Sequence, residues 1–362
     1  MIVSNYRTKL MDNMAQVKDH ESQGPFIDAY MIFLKDVIED DPQNVQAICQ
    51  LAIARLERNQ DTDESIAIME EALGRLRGSM SEGDLCVIVN NLAYFYDEEK
   101  DDPDRARALL TEIIPLGSCH EKTYYALAYL LVKTSPEKAL EVINKINFKR
   151  VQPDYMRHIW AYILVKNKSY EKALSILEDL SITSKTSDMR DTAFYMSAIV
   201  NHVLNRNIKA LTIADKLYNK YIGGEDTEIS TFELVHLYFL LEEYDKVVDI
   251  YERDRGMIYL NAEDMEMLLY ALSKLGYLKR AKTVLGDKIS EIEEDSSSIQ
   301  NDDDFTQEEK VAYIQENNAF IEALHQRFET IMSKTLKVKV KDVFYGCHGV
   351  KSCYLIGCLR HD

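Results

Sequence analysis

Five side chains able to ligate a metal ion are concentrated near the end of the sequence. They are Cys347, His348, Cys353, Cys358 and His361. Thiolate and imidazole groups are ligands that Zn²⁺ prefers, and four of them complete a structural site. The spacing lacks the paired C-x-x-C knuckle of common zinc sites. Three interpretations therefore stay open: a zinc site, redox-active or intermolecular thiols, and ordinary reduced thiols in a hairpin. Apart from zinc, we expect no cofactor.

The sequence contains no recognisable catalytic motif. It lacks a Gly-rich phosphate-binding loop, an H-E-x-x-H pair and a G-x-S-x-G elbow. Four further histidines are scattered along the chain, and the many carboxylates are typical of solvated helix faces. We therefore expect a non-catalytic protein that works by binding.

Composition narrows the class of partner. The 362 residues carry a net charge of -18, which disfavours nucleic acid because phosphate binding depends on clustered Lys and Arg. No apolar run approaches the roughly 20 residues that span a bilayer, so no membrane contact is expected. The first residues lack the apolar core of a signal peptide, and six cysteines in so long a chain do not suggest a disulfide scaffold. We expect an acidic, cytoplasmic protein with reduced cysteines.

A degenerate motif recurs along most of the chain, best seen as Ser169-Tyr-Glu-Lys-Ala173-Leu. Its anchor residue returns at spacings of 40, 33, 34, 37, 37 and 34. The anchors are Ile66, Ala106, Ala139, Ala173, Ala210, Val247 and Ala281. A period in this range is the mark of a helical solenoid. The pattern predicts an all-α fold of about eight helix pairs over residues 1–294, with the first pair broken at Gly24-Pro25.

Three further segments follow the repeats. Residues 295–305 are acidic and rich in serine, which predicts a mobile linker. Residues 306–335 predict a capping helix that opens with the Thr306–Glu309 capping box and presents one apolar stripe. Residues 336–362 form a Cys-rich tail whose alternation of apolar and basic residues predicts a β-hairpin. This tail carries +3 against -21 for everything before it, so we expect it to dock onto the acidic body or onto a neighbouring copy, which would make a homodimer.

Paired helices at this period resemble the tetratricopeptide repeat family. The resemblance covers residues 5–294 and rests on the small anchor residues, on an aromatic residue three positions earlier at Tyr170 and Tyr244, and on Asp41-Pro42-x-Asn44 between pairs. The family's small position in the first helix is matched at Ala93, Ala128, Ala161 and Ala198. Ile66 and Val247 depart from the small anchor. The resemblance implies a superhelix that binds a peptide or partner segment in its concave groove.

The residues that follow the small position of each first helix are expected to face that groove. Tyrosine offers a large rigid face with a polar tip, and asparagine offers both a donor and an acceptor to a peptide backbone. Together with residues one turn earlier, the predicted binding set is Asn90, Asn91, Tyr94, Tyr125, Tyr129, His158, Tyr162, Tyr195, His236 and Tyr270. The alternative is that these tyrosines only pack between repeats. A carboxylate clamp of the kind some family members use would need a further lysine–asparagine pair, which is missing at Cys49 and Ile53.

Three functions remain open. The first is a non-catalytic scaffold or adaptor that binds an extended peptide or partner segment. The second is a cytoplasmic bacterial sensor of a signalling peptide that acts by sequestering a protein, because residues 1–40 show no DNA-binding helix-turn-helix. The third is a metal- or redox-responsive protein that works through its Cys/His tail.

Overall fold

The computed structural model describes residues 2–17, 20–58, 62–148, 153–227, 229–254, 262–333 and 351–360. Seventeen α-helices occur within these residues, and the all-α prediction is confirmed. In chain order they are α1 (Ile2–Ala15), α2 (His20–Asp40), α3 (Val45–Glu57), α4 (Thr62–Leu76), α5 (Glu82–Tyr94), α6 (Pro103–Ile113), α7 (Glu121–Leu131), α8 (Pro136–Ile143), α9 (Asp154–Lys166), α10 (Tyr170–Thr183), α11 (Ser187–Val203), α12 (Asn207–Gly223), α13 (Thr231–Leu240), α14 (Tyr244–Arg253), α15 (Ala262–Lys274), α16 (Leu278–Gln300) and α17 (Gln307–Ser333). None of the described helices is long and apolar enough to cross a membrane.

The helices divide between two units, the first comprising residues 1–173 and 350–362 and the second residues 174–349. In the first unit consecutive helices from α1 to α9 pack on one another, as α2 does on α3 and α5 on α6, and α3 also contacts α5. The second unit repeats this arrangement, with α11 on α12 and α13 on α14. Packing in consecutive pairs is the arrangement that the repeat predicts.

The anchor residues lie where two helices approach closely. Ala106, Ala139, Ala173, Ala210 and Ala281 are all 0% exposed. A methyl group fills such a site, whereas a larger side chain would force the helices apart. Ile66 and Val247 are also buried, so these two pairs accommodate a branched side chain at the same position.

A shared backbone turn separates the two helices of several pairs. Lys168, Asn205, Glu242 and Gly276 have positive φ angles of 59°, 59°, 63° and 81°. In each case the next N–H donates back to a carbonyl five residues earlier, as Ser169 does to Leu164 at 2.8 Å. This is the Schellman arrangement that ends a helix. It makes the repeat visible in the backbone even where the side chains differ.

Two boundaries differ from the prediction. Helix α2 begins at His20 and carries Pro25 within it, so the predicted break at Gly24-Pro25 is wrong. Pro25 is the sixth residue of α2, beyond the four N–H groups that lack an intrahelical partner, so the helix loses one backbone hydrogen bond there and continues. Helix α16 continues to Gln300, so residues 295–300 of the predicted linker are helical and only 301–306 separate it from α17.

The last helix follows its prediction closely. Thr306 and Glu309 form the expected capping box, in which the Thr306 N–H donates to Glu309 Oε2 at 2.9 Å and the Glu309 N–H donates to Thr306 Oγ1 at 3.3 Å. The Thr306 hydroxyl, which donates to Glu309 Oε2 at 2.7 Å, and the Thr306 N–H hold the pKa of Glu309 below its usual value. Leu324 and Ile331 are buried, and α17 packs on α15 and α16. The helix therefore covers the end of the second unit.

One prediction about the cysteines is wrong. Cys86 in α5 and Cys119 just before α7 are joined by a disulfide across 33 residues of chain. They had been expected to be reduced residues of the core or of junctions. One repeat length brings equivalent positions of neighbouring first helices side by side, which explains why two cysteines at this separation meet.

Candidate functional site

The described end of the chain lies on the first unit. Residues 351–360, here called the tail segment, contain neither helix nor strand, so the predicted hairpin is absent from them. The remainder of that prediction falls on residues 336–350, outside the described residues. The segment runs across the first helices of successive pairs, from α7 at Ser352 to α1 at Cys358. The expectation that the basic tail docks onto the acidic body is met within one chain.

Side chains of the first unit hydrogen-bond to the backbone of six of the ten residues of the tail segment. Asn90 Nδ2 donates to the carbonyl of Tyr354 at 2.9 Å, Lys122 Nζ to that of Leu355 at 3.0 Å, and Gln50 Nε2 to that of Gly357 at 2.8 Å. At the two ends, the Ser352 N–H donates to the Tyr125 hydroxyl at 2.9 Å and Arg7 donates to the carbonyl of Cys358 at 2.8 Å. The surface formed by Arg7, Gln50, Asn90, Asn91, Lys122 and Tyr125 is called the binding groove below.

Asn91 makes the most complete of these contacts. Its Nδ2 donates to the carbonyl of Ile356 at 3.1 Å, and its Oδ1 accepts from the N–H of the same residue at 2.8 Å. One side-chain amide thus satisfies both backbone groups of one residue, as a neighbouring strand would. Asn90 and Asn91 are each 0% exposed, so their polar atoms were desolvated during folding and depend on these partners.

Tyr354 is the main anchor of the tail segment. It is 1% exposed, its ring packs edge-on against Tyr94 at 5.1 Å, and its hydroxyl donates to Asp97 Oδ2 at 2.9 Å. Burial, with the nearby Asp97 carboxylate, raises the pKa of Tyr354 well above its usual value. The hydroxyl therefore stays protonated as a donor. Asp97 lies in a π-helical turn, Phe95–Glu99, that extends α5. Such a turn inserts one extra residue and re-aims its side chains.

Opposite charges meet at both ends of the segment. Lys351 Nζ lies 2.9 Å from Asp97 Oδ2 and 2.5 Å from Glu98 Oε1. Partial burial by itself lowers the pKa of Lys351, but the bonds to these two carboxylates outweigh burial and raise it. At the other end, Arg360 pairs with Glu57 of α3, whose side chain is 9% exposed. Both ends of the tail segment thus carry a basic residue that meets acidic residues of the first unit.

Half of the predicted binding residues lie along the tail segment. Asn90, Asn91 and Tyr125 bond to it, Tyr94 packs on Tyr354, and the Tyr129 ring lies 5.6 Å from Lys351 Nζ. Each occupies the phase of a first helix that was expected to face a groove. The structure brings these five residues to one surface.

The other five do not join them. His158 and Tyr162 in α9 are each 1% exposed and pack inside the first unit. Tyr195, His236 and Tyr270 belong to the second unit. Tyr195 is buried there, and Tyr270 packs on Phe239 and Tyr244. For these tyrosines the alternative of packing between repeats fits better.

The predicted metal ligands are only partly described. Cys347, His348 and His361 lie outside the described residues, among which no cluster of three or more metal-ligating side chains occurs. Cys353 and Cys358 lie within the tail segment and are not joined in a disulfide. A hydrogen bond between them, followed by burial, raises the pKa of Cys353 above its usual value.

Several residues that contact the tail segment were not predicted. Gln50, Glu57, Arg7 and Asp97 resemble ordinary polar positions of helices, and the acidic ones had been assigned to solvated faces. Lys122 precedes Tyr125 by three residues and so shares its helix face. That spacing was the signal that could have identified it.

The free-energy contributions that favour ordering of the tail segment and those that oppose it nearly cancel. Burial of Tyr354, Leu355, Cys358 and Leu359 contributes about 8 kcal/mol at roughly 2 kcal/mol each. The seven side-chain bonds to the segment's backbone add about 7 kcal/mol at ~1 kcal/mol each. Ordering ten residues costs about 15 kcal/mol at ~1.5 kcal/mol per residue. The favourable and unfavourable free energies therefore agree to within a few kcal/mol.

Comparison with known proteins identifies the fold. No family model and no curated protein sequence matches the chain. Among solved structures, the apo form of RapI is similar over 93% of this chain and 100% of its own, with 11% identity and a TM-score of 0.51. A tetratricopeptide repeat protein from Parabacteroides merdae ATCC 43184 matches 73% of this chain and 98% of its own (14% identity, TM-score 0.43). A Rap protein complexed with competence and sporulation factor matches 94% and 97% (13% identity, TM-score 0.39). At these identities the likeness concerns the fold alone.

Proposed function

We propose that this chain, a helical repeat protein of the tetratricopeptide type, binds an extended peptide or partner segment in the groove of its first unit. The observation that carries the proposal is the pair of hydrogen bonds between the Asn91 side chain and the backbone of Ile356. Side-chain amides that satisfy a backbone make contacts that do not depend on the ligand's side chains. Such contacts suit a surface built to hold extended chain.

Specificity in this proposal comes from three points. An aromatic residue fills the Tyr354 position, where the hydroxyl reaches Asp97. A basic residue three positions earlier meets Asp97 and Glu98, and another six positions later meets Glu57. The ligand class is therefore a peptide of about ten residues, basic at both ends and carrying a tyrosine or similar ring between them. Charge complementarity of this kind governs partner choice and association rate more than affinity.

The test uses a synthetic peptide with the sequence of residues 351–360, in which both cysteines are replaced by the unreactive isostere α-aminobutyrate. It is titrated calorimetrically into a full-length variant, Tyr354→Ala/Arg360→Glu, whose own tail segment has lost its anchor and one end charge. We expect one-site binding. Adding Asn91→Ala should weaken it about tenfold or more, because the paired backbone bonds are lost.

Asn167→Ala is the matched control. Asn167 is a half-buried asparagine of the same unit whose Nδ2 donates to the carbonyls of Pro136 and Ile163, each at 2.8 Å. Its loss removes comparable bonds outside the groove and should leave peptide binding unchanged. Absence of binding to the double variant, or equal losses for Asn91→Ala and Asn167→Ala, would refute the proposal.

A further inference from the structure

The binding groove already holds a ligand, and that ligand belongs to the same chain. The tail segment occupies the amide groups of Gln50, Asn90 and Asn91. Asn91 bonds both backbone groups of Ile356, and Gln50 and Asn90 each donate to one carbonyl of the segment, so a second peptide cannot take the same register while the segment is in place. Entry of a partner requires the segment to leave.

We infer that the tail segment is an autoinhibitory latch, an internal peptide that a partner of the same chemistry must displace. This inference rests on the proposed function of the groove. The latch and its competitor share a pattern: a basic residue, an aromatic residue three positions on, and a second basic residue six positions after that, as in Lys351, Tyr354 and Arg360. Binding of a partner displaces residues 351–360 from the groove. The exposure of this segment therefore reports whether a partner occupies the groove.

Three features of the contact suit reversible release. Its bonds are made by side chains rather than by a β-ladder, so they break without unfolding any of the helices they come from. The segment packs as a single layer, with Lys351 and Arg360 exposed at its ends. The turn at Gly357 has a φ of +83°, and a Cβ built there would lie 2.3 Å from Gln50 Nε2. The closest approach of the latch therefore depends on a glycine, which gives a substitution that weakens the latch without touching the groove.

Covalent attachment strengthens an internal ligand. A tethered segment competes at an effective concentration that reaches roughly the millimolar range. When the open state is a small fraction of the molecules, the apparent dissociation constant of a free peptide rises by the inverse of that fraction. A latch open in about one molecule in a hundred therefore weakens the apparent affinity about 100-fold.

The experiment compares the wild-type chain with two full-length latch variants, Tyr354→Ala/Arg360→Glu and Gly357→Val. The probe is the fluorescein-labelled peptide of residues 351–360 with both cysteines replaced by α-aminobutyrate, and binding is followed by fluorescence anisotropy. We expect both variants to bind the peptide at least about tenfold more tightly than the wild type. Equal affinity for wild type and variants would overturn the latch while leaving the proposed function intact. Failure of all three chains to bind would remove the proposed function itself.

A second readout does not depend on the variants. Deuterium uptake of residues 351–360 is measured in the wild-type chain with and without an excess of the unlabelled isosteric peptide, whose mass differs from that of the native segment. Displacement should raise uptake in the native segment, because the N–H groups of Ser352 and Ile356 lose their acceptors. Unchanged uptake at saturating peptide would contradict the latch. Light scattering completes the test, since a dimer that the latch variants abolish would assign the contact to neighbouring copies and overturn an internal latch.

Discussion

Asn91 holds Ile356 by both of its backbone groups, although the two residues are separated by most of the chain. Both side-chain atoms of the amide are used, and the residue is fully buried. A pairing of this kind positions the tail segment along the groove, because a shift by one residue would leave the amide with mismatched partners.

Substituting Asn91 should release the tail segment. Asn91→Ala removes two hydrogen bonds and leaves both backbone groups of Ile356 without those partners, a loss of about 2 kcal/mol, or roughly a 30-fold larger open population. Deuterium exchange of residues 351–360 measures that population. Asn167→Ala should leave the exchange of these residues as it is, and a similar rise in both variants would count against the assigned role.

The contribution of the Tyr354 hydroxyl to holding the tail segment can be measured separately from that of its ring. Tyr354→Phe keeps the buried ring but removes the bond to Asp97, and we expect the segment to loosen by about 1–2 kcal/mol. Tyr354→Ala also loses the buried ring and should cost about 3–5 kcal/mol. The measurement is again exchange of the segment. Tyr124→Phe, at a buried tyrosine of the same unit that packs under Lys145, is the control and should have no effect on it.

His158 should make the protein less stable in acid. Burial lowers the pKa of this residue to about 4, and its Nε2 has no hydrogen-bond partner among the described residues. The unfolded chain takes up the proton near pH 6.5 and the folded chain only near pH 4. The free energy of unfolding therefore falls as the pH drops through this window, by about 3 kcal/mol in all. Urea unfolding at pH 7, 5.5 and 4.5 checks the slope.

The matching variants are His158→Leu and His325→Leu. The first removes the proton uptake and should flatten the pH dependence relative to wild type. The second changes an exposed histidine of the second unit and should keep the wild-type slope. Identical slopes for wild type and His158→Leu would show that another group causes the acid sensitivity.

Opening the disulfide should destabilise the first unit. Cys86→Ala/Cys119→Ala frees a 33-residue loop in the unfolded chain, which corresponds to about 3–4 kcal/mol in the chain-entropy account. Thermal unfolding should show the loss, and wild-type protein treated with reductant should match the variant. Alkylation under denaturing conditions should leave Cys86 and Cys119 unmodified until reductant is added. Modification without reductant would contradict the bond.

The helices were predictable because their signals are local. Small residues recur at the anchors, and Asp102 bonds the Arg105 N–H as a cap before Pro103. The prediction of a break at Gly24-Pro25 failed because α2 continues through a proline at its sixth residue despite the loss of one backbone hydrogen bond, and a sequence does not show where α2 begins. The Cys86–Cys119 bond depends on how neighbouring repeats are aligned, which composition alone does not reveal.

The site was predictable only in part. Helix phase placed Asn90, Asn91 and Tyr125 on a common face, and net charge indicated that the tail docks on the body. Neither helix phase nor net charge could show that Asp97 is buried instead of lying on a solvent-exposed helix face, because its position follows from a π-helical turn. The same phase rule failed at His158 and Tyr162, where packing within the unit buries the side chains. Which backbone group meets which side chain is a long-range property that no local pattern encodes.

The position of the tail segment in the chain sets an order of events during synthesis. All groove residues lie within residues 1–173, and the segment that fills the groove is translated only after the helices of the second unit. At roughly 5–20 residues per second, a ribosome needs on the order of 10–35 s to proceed from Ala173 to Lys351. For that interval the nascent chain carries a finished groove with nothing of its own to place in it. Peptides or chaperones present at the ribosome meet the groove before the latch exists.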